Sequence, residues 1–337
     1  MDQTQIVNVF FAVFSFLLGA VVGSFLNVCI YRVPRGESVV RPASRCPKCG
    51  NRILWYDNIP IVSWLLLGAK CRYCGETISW QYPLVESITG LLFLLVFWRF
   101  GFVLATPIYM ALAAALVMVA FVDLAEWIIP DEVTLPGIPL AVACAVVATW
   151  YEGSGLRVSG LTNPVFDALI GIEAGGLLFL LDKAARLLLN KRGMGMGDVK
   201  LLAMLGGFFG WIGVILITLI AAVIGSVVGI ITLALTRKGE AAPKTEAASS
   251  KRVPLGGWLG MPGTILITAT FMFVGLLAGG KKEETAKDSE EEEEDHEITL
   301  AGHYLPFGPY LCLAGLIVMF FGADIIDYYF SIMDVGI

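Results

Sequence analysis

Of the 337 residues, 57% are hydrophobic and only 15% are charged, and the mean hydropathy is +0.78. A soluble chain of this length would need far more charge on its surface, so the composition excludes an ordinary soluble enzyme. The net charge of −6 is matched by one acidic run at 290–295, so there is no basic excess from which to expect a nucleic-acid partner.

The first apolar stretch, 6–30, is uncharged, is preceded by no basic residue and is followed by Arg32 and Arg35. It reads as a first transmembrane helix (domain 1–30) that ends in the cytoplasm, not as a cleaved signal. A polar segment, 31–82, comes next. Further spans are expected at 83–98, 102–122, 133–151 and from near Asn163, since about 20 apolar residues cross about 30 Å of hydrocarbon. The stretch 201–236 is too long for one crossing; Gly206-Gly207 and Gly210-Trp211 predict a break into one short and one full helix. Together, 83–238 form a transmembrane core. Residues 239–303 read as an insertion of polar linkers around an apolar piece, 253–280, that is interrupted by glycine and proline and expected not to cross. A last span and tail occupy 304–337.

Basic residues set the orientation. Residues 31–82 carry eight Lys or Arg against three acids, and the loop near Asp182–Asp198 holds Lys183, Arg186, Lys191 and Arg192. Placing both in the cytoplasm satisfies the positive-inside rule and brings Asp123 and Asp198 to the same membrane face.

Two knuckles, Cys46-Pro-Lys-Cys49-Gly and Cys71-Arg-Tyr-Cys74-Gly, stand in the first basic loop. Four thiolates complete the tetrahedral shell of a structural zinc and leave no position for substrate. Two disulfides or redox chemistry would be the alternative, favoured only if the loop faced outward. Cys29, Cys144 and Cys312 lie in apolar stretches and read as packing residues. The expected fold is an all-α polytopic membrane protein of about eight transmembrane helices, with a small cytoplasmic zinc-knuckle loop domain.

Asp123 closes an apolar span, and Asp198 follows Gly193-Met-Gly195-Met-Gly197 and opens another. Carboxylates at membrane depth are paired, face a cavity or act chemically. Two of them within reach of each other share a proton, so that one serves as base and the other as acid towards water and a peptide carbonyl. Either one alone reads as a helix boundary, with Asp198 as an N-cap and Asp123 as a surface charge. Glu126, Asp131, Glu173 and Asp182 compete as interfacial charges.

Taken in order, Gly23-Ser-Phe-Leu-Asn27, Tyr31-Arg32-Val-Pro-Arg, the cysteine pairs, Asp57-Asn-Ile-Pro-Ile-Val-Ser-Trp64, Tyr82-Pro-Leu-Val-Glu86, Asp123 to Asp131, Gly195-Met-Gly-Asp-Val-Lys200 and Leu305-Pro-Phe-Gly-Pro309 resemble the type IV prepilin peptidases. These are prepilin leader peptidase/N-methyltransferases, a branch of the Gly-x-Gly-Asp intramembrane aspartyl proteases. The resemblance implies catalysis by Asp123 and Asp198 and zinc on Cys46, Cys49, Cys71 and Cys74. It also implies prepilin and pseudopilin substrates, cleavage after a short basic leader at the cytoplasmic face of the inner membrane, and S-adenosylmethionine as methyl donor. No dinucleotide-type glycine fingerprint accompanies that last expectation. The chain departs from the family pattern in reading Gly68-Ala69-Lys70-Cys71, where glycine usually stands two residues before the third cysteine. The rival readings are a zinc-knuckle transporter or scaffold, which would need its aspartates apart in mid-membrane, and a leader peptidase without methyltransferase activity, whose relatives lack the cysteine loop.

Overall fold

The computed structural model describes residues 3–151, 154, 156, 163–189, 195–236 and 306–332. In chain order come α1 (Gln3–Arg32), 3-10 turns at Val33–Arg35 and Trp55–Asn58, the short α2 (Val62–Leu66), α3 (Gln81–Phe100), α4 (Ala105–Glu126), α5 (Asp131–Trp150), α6 (Pro164–Leu189), α7 (Met196–Thr236) and α8 (Gly308–Ile332). The extended structure among these residues is limited to two isolated bridges, Arg45 with Arg52 and Lys70 with Thr77. Six of the helices are long and apolar enough to cross a membrane. The protein is a polytopic helical membrane protein, as its composition requires. The insertion expected at 239–303 lies outside the described residues.

Lipid offers no hydrophobic drive between helices, so close backbone contact has to supply the attraction. In α1 the small or polar residues recur every fourth position, at Gly19, Gly23 and Asn27, which aligns them on one face. A Cβ at Gly19 would stand 2.6 Å from the Thr89 carbonyl oxygen, and one at Gly23 would stand 2.7 Å from Glu86 Cα. Asn27 Nδ2 donates to the Tyr82 carbonyl at 3.2 Å. Thus α1 and α3 run antiparallel with their backbones in contact. At the end away from the cysteine loop, Arg99 of α3 pairs with Asp324 of α8 at 2.8 Å.

Helix α7 has 41 residues, which at 1.5 Å per residue is about twice the hydrocarbon thickness. Gly210 interrupts it with φ 70 and ψ −178, a conformation open in practice only to glycine. A Cβ at Gly206 would meet Val214 Cγ2 at 2.7 Å, whereas residues eight apart in a straight helix are about 12 Å apart. The chain therefore doubles back at Gly210, and Gly225 on the returning arm faces the Tyr310 ring at 3.5 Å. The break expected from sequence occurs at Gly210 only. Gly206 and Gly207 stay helical and are contact points instead, the first against the Gly171 backbone of α6, the second against Ala141 of α5 and Ile172 of α6. Among the described residues six helices therefore qualify as spans, against the about eight expected from sequence; the difference lies in α6, which is not among them, and in α7, which counts once.

Candidate metal cluster and aspartate site

Both cysteine pairs fold the same way. In the first knuckle, Cys46 N–H donates to the Asn51 carbonyl at 2.9 Å and Gly50 N–H to the Cys46 carbonyl at 2.9 Å. In the second, Cys71 N–H donates to Glu76 at 2.8 Å and Gly75 N–H to Cys71 at 2.9 Å. Gly50 and Gly75 each hold φ 71, which explains why glycine follows each pair. The four thiols are free of disulfides, and all four sulfurs lie within 4.8 Å of one another. The Cys46 and Cys74 sulfurs are 3.9 Å apart, close to the roughly 3.8 Å edge of a tetrahedron built on Zn–S bonds of about 2.3 Å. The N–H groups of Cys49 and Lys48 draw the Cys46 thiol down to about 7. The Glu76 N–H pulls Cys74 the same way, but desolvation and the three neighbouring sulfurs outweigh it and push that thiol up to about 12. Sulfurs this close cannot all ionise unless a cation stands among them, and the donor set fits zinc.

The rest of the loop is tied down by directed polar contacts. Arg72 grips Asp57 through Nε at 2.8 Å and Nη2 at 2.5 Å, and this holds the Asp57 carboxyl below the usual carboxylate range. Trp64 Nε1 donates to the Ile78 carbonyl at 3.2 Å. Ile61 adopts φ 63, a left-handed conformation that is costly for a β-branched residue, and its N–H donates at 2.7 Å to the buried carboxylate of Glu86 in α3. Gly68 and Ala69 are left-handed as well, both at φ 59. The position two before the third cysteine therefore calls for glycine on steric grounds, and this chain fills it with alanine.

Asp123 lies one turn inside the end of α4 and is only 6% exposed. Asp198 is half-buried and is the third residue of α7, so it stands within the first turn and not at the N-cap. Their common level follows from three helices in register. The side chains of Leu116 and Leu205 both press on Gly315, at 3.4 and 3.3 Å from where its Cβ would be. Two helical turns from these residues, on the cysteine-loop side, stand Asp123, Asp198 and Gly308 respectively. A Cβ at Gly308 would run into the Asp123 carboxylate, and one at Gly195 would lie 3.3 Å from Asp198 Oδ2. Both carboxylates are also within electrostatic reach of the buried Cys312 thiol, one turn further along α8. The register thus places the two aspartates at one level, at the end of α4 and the start of α7, with the start of α8 against Asp123.

Two of the competing carboxylates are otherwise engaged. Glu126 accepts from Arg35 at 2.6 Å, which ties the end of α1 to the end of α4. Asp131 pairs with Lys200 at 2.8 Å and joins the starts of α5 and α7. Glu173 lies further along α6, and the side chain of Asp182 is outside the described residues. Sequence reasoning missed the approach of Gly308 to Asp123. The Leu305-Pro-Phe-Gly-Pro309 string was its only signal, and nothing local says what that string touches.

Residues 17–100 match the family model for the bacterial peptidase A24 N-terminal domain, and residues 110–230 match that of the type IV leader peptidase family. A prepilin leader peptidase/N-methyltransferase of Myxococcus xanthus is 39% identical over 325 residues, covering 93% of this chain and 90% of its own. The chain belongs to the type IV leader peptidase family. Proteins of the same name from Pseudomonas aeruginosa and Xanthomonas campestris are 34% and 30% identical, covering 76% and 93% of this chain and 90% and 92% of their own. No solved structure matches the chain significantly. The C-terminal half of α1, the cysteine loop and α3 fall in the N-terminal match, while α5, α6 and most of α4 and α7, with both aspartates, fall in the peptidase match.

Proposed function

We propose that this member of the family removes the short basic leader from type IV prepilins and pseudopilins with Asp123 and Asp198, then N-methylates the new terminal residue. What supports the peptidase half is the helix register that sets Asp123 and Asp198 at one level, with Asp123 against Gly308. One carboxylate takes a proton from water as its oxygen adds to the scissile carbonyl carbon. The other donates a proton to the carbonyl oxygen, and the C–N bond then breaks as the leaving nitrogen is protonated. Two carboxylates acting together share their protons, so the two roles are assigned to the dyad and not to either residue alone. Gly195, where an added Cβ would meet only Asp198 Oδ2, leaves room for an extended substrate backbone to reach that carboxylate, while Gly308 lets α8 close on Asp123.

The division of labour we infer gives residues 31–82 to the methyltransferase half and 83–238 to the peptidase core. Cys46, Cys49, Cys71 and Cys74 would hold a structural zinc that substitutes for a core the loop is too small to build. S-adenosylmethionine would supply the methyl group. The described residues offer it no glycine-rich turn of the dinucleotide-binding kind. The eight basic residues of 31–82 favour the cytoplasmic side of the bacterial inner membrane for the loop, and hence for the aspartates at the same end of the bundle.

Purified prepilin incubated with detergent-solubilised wild type, Asp123→Ala and Asp198→Ala, and read by mass spectrometry, tests this reading. Loss of the leader with wild type alone, and a product heavier by one methyl group when S-adenosylmethionine is added, are the expected results. Cleavage by either variant at the wild-type rate would overturn the dyad.

A further inference from the structure

Between α4 and α5 the chain makes a short, fixed link. Trp127 adopts a left-handed conformation, φ 61, and its N–H caps α4 on the Asp123 carbonyl at 3.0 Å. Pro130 then caps α5, its carbonyl accepting from Val133 and Thr134 N–H at 3.3 Å each. Ile129 is held between these two caps, and its side chain is packed at the edge of the core.

That side chain faces two glycines on two other helices. A Cβ at Gly197, the residue before Asp198, would stand 2.9 Å from Ile129 Cβ and 3.4 Å from both its Cγ1 and its Cδ1. A Cβ at Gly308, the residue against the Asp123 carboxylate, would stand 3.2 Å from Ile129 Cδ1. One isoleucine thus fills the notch made by the absence of a side chain on each side, and it touches the backbone that carries Asp198 and the backbone that confines Asp123. A β-branched side chain is stiff about χ1, which suits a spacer.

We propose that Ile129, seated between Gly197 and Gly308, is a positioning residue for the peptidase reaction that sets the spacing of the Asp123 and Asp198 carboxylates. The inference deepens the dyad reading and rests on it. Two carboxylates share a proton only over a narrow range of separation. Without the spacer, α7 and α8 settle towards each other and the dyad loses its working geometry, while the surface that receives the substrate is unchanged.

The test is steady-state cleavage of prepilin by purified full-length enzyme, with kcat expressed per folded molecule and methylation of already cleaved pilin as the control for integrity. Ile129→Ala is expected to lower kcat about 10–100-fold, the scale of a displacement of about 1 Å at a reacting centre, with KM changed little. Ile129→Val, which keeps the β-branch, is expected to recover most of kcat. Should Ile129→Ala fail to fold, Ile129→Leu keeps the volume and moves the branch, and a several-fold fall in kcat at constant KM is expected there. A mere packing role would lower the yield or the Tm and leave kcat per folded molecule at the wild-type value, and that result for Ala or Leu overturns the proposal. Asp198→Asn, run alongside, separates the two failures. If it still cleaves, the dyad reading falls; if it is dead while Ile129→Ala keeps wild-type kcat, only the spacer falls.

Discussion

The loop between α1 and α3 and the helix bundle beneath it are held together by different physics. In the loop, order comes from directed contacts: four sulfurs on one point, Arg72 on Asp57, Trp64 on Ile78, and the N–H of Ile61 on Glu86. In the bundle it comes from missing side chains, with Gly19 and Gly23 against α3, Gly171 against Gly206, and Gly308 against Asp123. Water surrounds the loop, which is too small to bury a core and needs strong, specific bonds. Lipid surrounds the bundle, where apolar burial gives no advantage and contact area at the backbone decides. Changes in the two regions should therefore have effects of different kinds.

The sharpest break is expected at the aspartates. Asp123→Asn or Asp198→Asn should reduce cleavage by about 10²–10⁴-fold, the range of a general acid or base, with methylation of cleaved pilin intact. Equal loss of both activities would show that the two regions do not divide the work. Next comes the metal. Cys71→Ser with Cys74→Ser should abolish bound zinc, measured by elemental analysis, and withdraw from the loop a binding free energy on the order of 10 kcal/mol as in isolated zinc modules. Methylation should fail first and cleavage should survive.

Smaller effects should test the packing side. Gly23→Ala puts a methyl group 2.7 Å from Glu86 Cα, a backbone atom that cannot swing away. We expect about 1–3 kcal/mol of destabilisation, read as a lower Tm in detergent and felt by both activities. In the loop, Ala69→Gly removes a left-handed alanine and should stabilise by about 1 kcal/mol, seen as slower loss of zinc to a chelator. The gentlest probe is pH. Asp57 has its folded pKa depressed by Arg72, so its contribution is fully present above the unfolded value of about 3.9 and is lost as pH falls through the folded one. Loop unfolding followed by Trp fluorescence should be insensitive to this residue at neutral pH and sensitive only in strong acid, a dependence that Asp57→Asn would remove.

Those same two kinds of contact explain how far the sequence could be read. The cysteine knuckles were legible because a shared ligand point dictates local spacing and the tight turn dictates glycine at 50 and 75. The common level of Asp123 and Asp198 was legible because charge patterning indicates which span ends share a face. The break in α7 was foreseen within a few residues, but choosing Gly210 over Gly206 and Gly207 required knowing that Gly171 and Ala141 press on the latter two. The pairs Arg35–Glu126 and Lys200–Asp131, the grip of Arg72 on Asp57, and the contact of Gly308 with Asp123 join residues distant in the chain. No local pattern announces such partners, because each is chosen by the way whole helices come together.

The reversal at Gly210 also bears on chain entropy. By folding α7 back on itself, it returns the chain to the end of the bundle where α8 begins, with Gly225 beside Tyr310. Thr236, where α7 ends, stands eleven residues or about 16 Å beyond Gly225, so the points that a connecting segment must join lie at the same end of the bundle. Closure entropy grows only with the logarithm of loop length, about 0.6 kcal/mol for each doubling. A join of this kind can lengthen greatly at small thermodynamic cost and without moving Gly308 from Asp123, whereas the same residues added between α4 and α5 would dissolve the link that holds Ile129.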